Sequence, residues 1–208
     1  MTKRYINKIF KILEEKYRGT DLTELNYFNP YTLLVATMLS AQTTDKMVNK
    51  VTKELFRKAK TPNDMLELGE GKLKEYIKSI NYFNTKAKNI IKMSNQLIDN
   101  FGSVVPNTME DLTKLAGVGR KTASIILNIV YGKKAIAVDT HVFRLSNRIG
   151  LVKTKNVKET ELKLLDIVPN NYVSCVNNYL VLLGRYVCKS KKPDCDHCPL
   201  ETVCKKIY

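Results

Sequence analysis

Apolar residues recur at steps of three and four along almost the whole chain. Near the start, Ile6, Ile9, Phe10 and Leu13 fall at i, i+3, i+4 and i+7 with Glu14 and Glu15 beside them, the pattern of an amphipathic helix. Residues 30–41 carry Leu33, Leu34, Met38 and Leu39 and begin at Pro30, a favoured first-turn position. The same spacing returns over 44–57, 85–99, 157–166 and 172–186. Two further helices are predicted at Met109–Leu115 and Arg120–Tyr131, the second stopped by Gly132, and another from Val142 to Arg148, stopped by Gly150. Alternating runs are absent and connections are short, which predicts an all-α protein of roughly ten helices.

Charge narrows the partners. The 208 residues carry 35 Lys and Arg against 20 Asp and Glu, a net +15. Such an excess favours polyanions through counterion release and steering, although a basic ribosome-associated or merely soluble protein carries the same signature. The positive residues are spread along the chain, so no basic tail accounts for them. No stretch approaches the ~20 apolar residues of a membrane span. The amphipathic start predicts a helix, not a secretory signal, and hence a reducing compartment in which disulfides are disfavoured.

That bears on Cys188, Cys195, Cys198 and Cys204, a C-x6-C-x2-C-x5-C array. Four thiols at this spacing suit a metal; spacing alone leaves zinc and an iron–sulfur cluster both open. Cys175 stands apart in an apolar stretch and is expected to be buried.

A second signal is Leu115-Ala-Gly-Val-Gly119, a turn between two helices. Gly117 and Gly119 can take positive φ and let another backbone approach closely. Amides at the start of the next helix then point outward, where a phosphate oxygen can accept from them. Such a turn clamps a nucleic-acid backbone without reading its sequence; a plain helix–turn–helix corner is the other reading. Lys121 sits in the first helical turn, where the macrodipole disfavours its charge. Partial desolvation there would favour the neutral amine of nucleophilic chemistry, and a phosphate-contacting cation is the other role open to it. Arg120 suits that contact role. Asp139 ends the apolar run Ala135–Val138 and can cap the helix that follows, a role compatible with stabilising positive charge on a sugar. His141 reads as structural or backbone-contacting.

LAGVGRKTA at Leu115–Ala123, VDTH at Val138–His141 and the cysteine array together resemble the endonuclease III family of helix-hairpin-helix DNA glycosylases. LSAQTTD at Leu39–Asp45 and LELG…YI…NTKAKNI through residues 66–90 match as well, so the resemblance spans nearly the whole chain. It implies a two-domain all-α fold: a six-helix domain over 22–133, and a cluster domain from 1–21 with 134–208. It implies double-stranded DNA with damaged bases or abasic sites as the partner, bound across an interdomain cleft, and a cytoplasmic, nucleoid-associated place of work. Lys121 and Asp139 match the family's catalytic pair, and the four cysteines match ligands of a 4Fe–4S cluster. Lys189, Lys191 and Lys192 fall in the first cysteine loop, where they can meet phosphates. Gln42 matches a residue that fills the space left by an extruded base, and Tyr82 stands where an apolar wedge is expected, with a core aromatic as the competing assignment.

The implied activity is that of a bifunctional glycosylase and abasic-site lyase for oxidised pyrimidines. A monofunctional mismatch or adenine glycosylase is the near rival, against which Lys121 argues; a non-catalytic DNA-binding module with a structural metal is the distant one. Three positions depart from the family pattern: Ala116 replaces a usual proline, Asn81 a usual glycine, and Tyr82 a common leucine. No surplus amphipathic or heptad segment remains, which predicts a monomer on size exclusion.

Overall fold

The computed structural model describes residues 2–20 and 23–207. Among these are ten α-helices, one short 3-10 turn and no strand. The helices are α1 (Lys3–Tyr17), α2 (Pro30–Ser40), α3 (Asp45–Lys58), α4 (Pro62–Ile77), α5 (Phe83–Phe101), α6 (Met109–Lys114), α7 (Arg120–Tyr131), α8 (Thr140–Ile149), α9 (Val157–Ile167) and α10 (Val176–Tyr186). The chain divides into two compact units, one of Glu24–Tyr131 and the other of Met1–Thr23 with Gly132–Tyr208. The expected boundary between residues 21 and 22 lies outside the described residues.

The unit Glu24–Tyr131 is built around α2, whose residues from Tyr31 through Leu39 are all buried. An unbroken apolar run has no solvent face to offer, so the other helices wrap it. Its entry is fixed by a capping box: Asn29 accepts from the Thr32 amide while Thr32 accepts from the Asn29 amide, ahead of Pro30. Thr61, Asp64 and Pro62 repeat the device at α4. The Tyr31 hydroxyl meets Ser94 Oγ at 2.6 Å and ties α2 to α5. The pattern reading misses α4, because Gly69 breaks it. With φ 77° and ψ 159° this glycine kinks the segment into two helical pieces. Helix α7, apolar nearly all round in sequence, buries Ala123, Ile126 and Leu127 but leaves Ile125, Ile129 and Val130 half-exposed.

In the other unit α1 inserts Ile6, Ile9, Phe10 and Leu13 into a core shared with Val142, Leu145, Leu180 and Leu183. Phe10 stacks on Tyr172 with centroids 5.4 Å apart. Burying one such aromatic or leucine stabilises the unit by about 2–3 kcal/mol. The stretch expected as one helix over 172–186 is instead a 3-10 turn at Asn170–Tyr172 followed by α10. Pro169 opens that turn. Cys175 consequently sits at the N-cap of α10, half-buried against the core where full burial was expected. Cys188, Leu200 and Val203 belong to the same core cluster, so the cysteine array grows directly out of packed structure.

Candidate functional site

The glycine turn is anchored by two side chains, Leu115 at 2 % and Val118 at 6 % exposure. The Val118 amide closes it by donating to the Leu115 carbonyl at 3.1 Å. Gly117 has φ +75°, and a Cβ there would lie 2.8 Å from Met38 Cε and 3.0 Å from Asn89. Conformation and contact both demand glycine. Gly119, expected to share the positive φ, does not, and nothing lies within 4 Å of its would-be Cβ. Its surface is therefore open to an approaching group. Arg120 and Lys121 follow, both exposed. The partial desolvation expected for Lys121 is not met within this unit, where the residue is exposed.

Gln42 and Tyr82 belong to the same unit and share a backbone property. Their φ values are 56° and 59°, in the left-handed region that residues other than glycine seldom adopt. The two turns are joined: Asn81 Nδ2 donates to the Gln42 carbonyl at 2.6 Å. Beneath them the buried Lys86 donates through Nζ to the carbonyls of Leu39, at 2.8 Å, and Ala41, at 2.6 Å. It thereby caps the C-terminal end of α2 with a cation. Burial holds this ammonium below the ordinary lysine range. Tyr82 is 66 % exposed, which removes the core-aromatic reading. Each left-handed residue costs about 1 kcal/mol or more, which the surrounding hydrogen bonds offset.

In the other unit Asp139 follows the buried run Ala135–Val138, held by Asn177 Nδ2 donating to the Ala137 carbonyl at 2.6 Å. Asp139 caps α8: its Oδ1 accepts from the amides of His141 and Val142, both at 2.9 Å. The carboxylate is thus half-buried and fixed in direction. His141 meets Arg144 at 3.3 Å and packs on Gly184, where a Cβ would come within 2.8 Å of the ring, so its role is structural.

Cys188, Cys195, Cys198 and Cys204 line one small recess, together with Arg148, Pro193 and Lys206. Among the described residues no three His, Cys, Asp or Glu side chains converge as a single metal ion requires. Burial, followed by the neighbouring thiols, pushes Cys198 and Cys204 above the ordinary thiol range. Two arginines of α8 hold the loop. Arg144 Nη2 donates to the carbonyls of Gly184 and Cys188. Arg148 donates to Cys188 Sγ at 3.4 Å and to the carbonyls of Lys189 and Ser190. The Lys205 and Ile207 amides return to the end of α8. Lys189, Lys191 and Lys192 are exposed on the first part of this loop.

Residues 35–170 match the model of the HhH-GPD superfamily of base excision DNA repair proteins. The chain is 50 % identical to endonuclease III of Rickettsia conorii over 208 residues, covering all of this chain and 99 % of the relative. It is 46 % identical to endonuclease III of Escherichia coli K12 over 183 residues, 88 % of this chain and 87 % of that one. The chain belongs to the endonuclease III family. Its fold matches the structure of a trapped endonuclease III–DNA covalent intermediate with a TM-score of 0.91 at 40 % identity, covering 99 % of this chain and 97 % of the other.

Endonuclease III membership makes this chain a base excision DNA repair protein. Sequence reading missed the residues that brace this site: Lys86, Gln96, Arg144 and Arg148. All four act on backbone carbonyls or amides distant in sequence. The one available signal lay in Arg144 and Arg148, two arginines four apart on a short helix.

Proposed function

We propose that this base excision repair DNA glycosylase and lyase removes oxidised pyrimidines such as thymine glycol, with Lys121 as the nucleophile. The observation that carries the reading is Lys121 itself, an exposed amine in the first turn after the glycine hairpin of an endonuclease III family chain. The target base leaves the stack, because no side-chain amine reaches a sugar carbon inside a duplex. Gln42 fills the vacated place and Tyr82 wedges the flanking step. Gly117, Gly119 and Arg120 hold phosphates beside the lesion, and closure of DNA over Lys121 supplies the desolvation that favours its neutral form.

Lys121 Nζ then bonds to C1′ as the glycosidic bond breaks and the base departs with the electron pair. The Asp139 carboxylate, fixed by its cap bonds, opposes the positive charge that develops at the sugar. Transfer of a proton from the amine to O4′ as the C1′–O4′ bond breaks opens the ring and leaves a Schiff base. This acidifies the C2′ proton; its removal expels the 3′ phosphate by β-elimination and cuts the strand. One amine serves both steps.

The division we assign is a six-helix domain over 22–133 and a cluster domain from 1–21 with 134–208. Cys188, Cys195, Cys198 and Cys204 would hold a 4Fe–4S cluster. All four thiols line one recess, and a cluster held by four thiolates is what the chain's family pattern supports there. Bound there, the cluster cross-links the loop and presents Lys189, Lys191 and Lys192 to phosphates; the reaction transfers no electrons. These assignments place the enzyme at DNA in the cytoplasm.

A duplex with a single thymine glycol tests the reading on a denaturing gel. Expected is a strand cut 3′ to the lesion without added alkali. Base loss with cutting only after alkali would instead make the chain a monofunctional glycosylase. Binding without base loss would make it a non-catalytic module.

A further inference from the structure

Ala116 follows Leu115, the residue that ends α6. Leu115 has φ −70° and ψ 139°, the extended conformation that a following proline imposes on its predecessor. That conformation would accept a proline at 116, and the residue there is alanine. Alanine there brings two liabilities: a φ that the ring would have fixed, and a part-buried N–H that proline would lack.

One side chain of α5 satisfies the N–H and ties the turn on both sides. Gln96 Oε1 accepts from the Ala116 amide at 2.7 Å, and its Nε2 donates to the Lys114 carbonyl at 3.2 Å. The planar amide thus spans the turn on either side of Leu115. The carbonyl it binds is one that the end of α6 would otherwise leave without a helical partner. Gly117, the next residue, is wedged against Met38 and Asn89, so the turn is braced from α2 and from α5.

We propose that Gln96 is a positioning residue for DNA binding, whose side-chain amide fixes the hairpin in place of a ring at position 116. This rests on the reading above, that the hairpin grips phosphates. A turn already fixed loses no freedom when its amides and Arg120 engage the backbone, so the brace contributes to affinity without touching the ligand.

The test is a cycle of Gln96→Leu, Ala116→Pro and the double variant, with dissociation constants for a lesion duplex measured at several salt concentrations. Single-turnover rates at saturating DNA and thermal midpoints complete the set. Gln96→Leu is expected to weaken binding roughly fivefold, with the saturated rate unchanged and the salt slope kept, since the same phosphates are contacted. Ala116→Pro alone is expected to bind as the native chain, and the double variant to regain native affinity. A purely structural loss would not be rescued in this way. Native affinity in Gln96→Leu, or a loss that proline does not restore, overturns the proposal. Should Gln96→Leu not fold, the double variant decides alone: native affinity is the expected result and weak binding the contrary one. A native chain that binds and cuts the duplex without any response to Gln96 overturns this inference only. A native chain that does not bind DNA overturns the reading beneath it as well.

Discussion

The hairpin at 115–119 and the cysteine loop at 188–204 are both irregular backbone presented on helical frames, yet they are held by different means. The hairpin is preformed by the protein alone: Leu115 and Val118 are buried, Gly117 is locked against Met38, and Gln96 spans the turn. The cysteine loop has little helical structure of its own and leans on Arg144, Arg148 and a few core contacts around its recess. Where a small turn can be packed, side chains suffice. A long loop that cannot bury enough apolar surface needs a covalent centre.

The contrast breaks most visibly at one of the cysteines proposed to hold the cluster. Cys198→Ser is expected to cost on the order of 5 kcal/mol or more in the unit that holds the loop. Limited proteolysis should then cut within residues 187–207 while Glu24–Tyr131 stays protected. A loop as resistant as the native one would remove the distinction. At the hairpin, Gly117→Ala is expected to cost about 1–3 kcal/mol in thermal or denaturant unfolding, from a positive φ and the clash with Met38 together. Gly119→Ala sharpens the point: its surroundings are open, so stability should hold while duplex binding weakens.

Smaller effects follow from the braces. Arg148→Met removes donors to Cys188 Sγ and two loop carbonyls and is expected to cost about 1–2 kcal/mol, read as faster loss of iron to a chelator. Asn81→Ala removes the bond to the Gln42 carbonyl and should change stability by about 1 kcal/mol or less. Its signature is slower excision from duplex with unchanged cutting of a single-stranded abasic site, where nothing has to be extruded. Equal slowing on both substrates would contradict a role in opening the stack.

What the sequence made legible was local. The first-turn Pro30 of α2, the cap at Asp139, the apolar stripe of α1, the positive φ at Gly117 and the thiol array were all readable from neighbouring residues. Helix α4 was hidden because Gly69 and Gly71 interrupt its period, and α10 was drawn too long because Tyr172 continued an apolar spacing across a 3-10 turn. The braces were invisible for another reason. Gln96 to Ala116, Asn81 to Gln42 and Arg148 to Ser190 are side-chain-to-backbone bonds across 20 to 42 residues, and a backbone carbonyl leaves no mark in a sequence. Exposure decided Tyr82, which composition could not.

Lys121 carries the central claim, and borohydride trapping tests it most directly. The native chain and Lys121→Ala are each incubated with a duplex bearing one thymine glycol, reduced, and resolved by denaturing electrophoresis. A covalent protein–DNA band with the native chain that is absent from Lys121→Ala is the predicted result. A band of equal strength in the variant, or none with a native chain that still binds the duplex, would contradict Lys121 as the nucleophile.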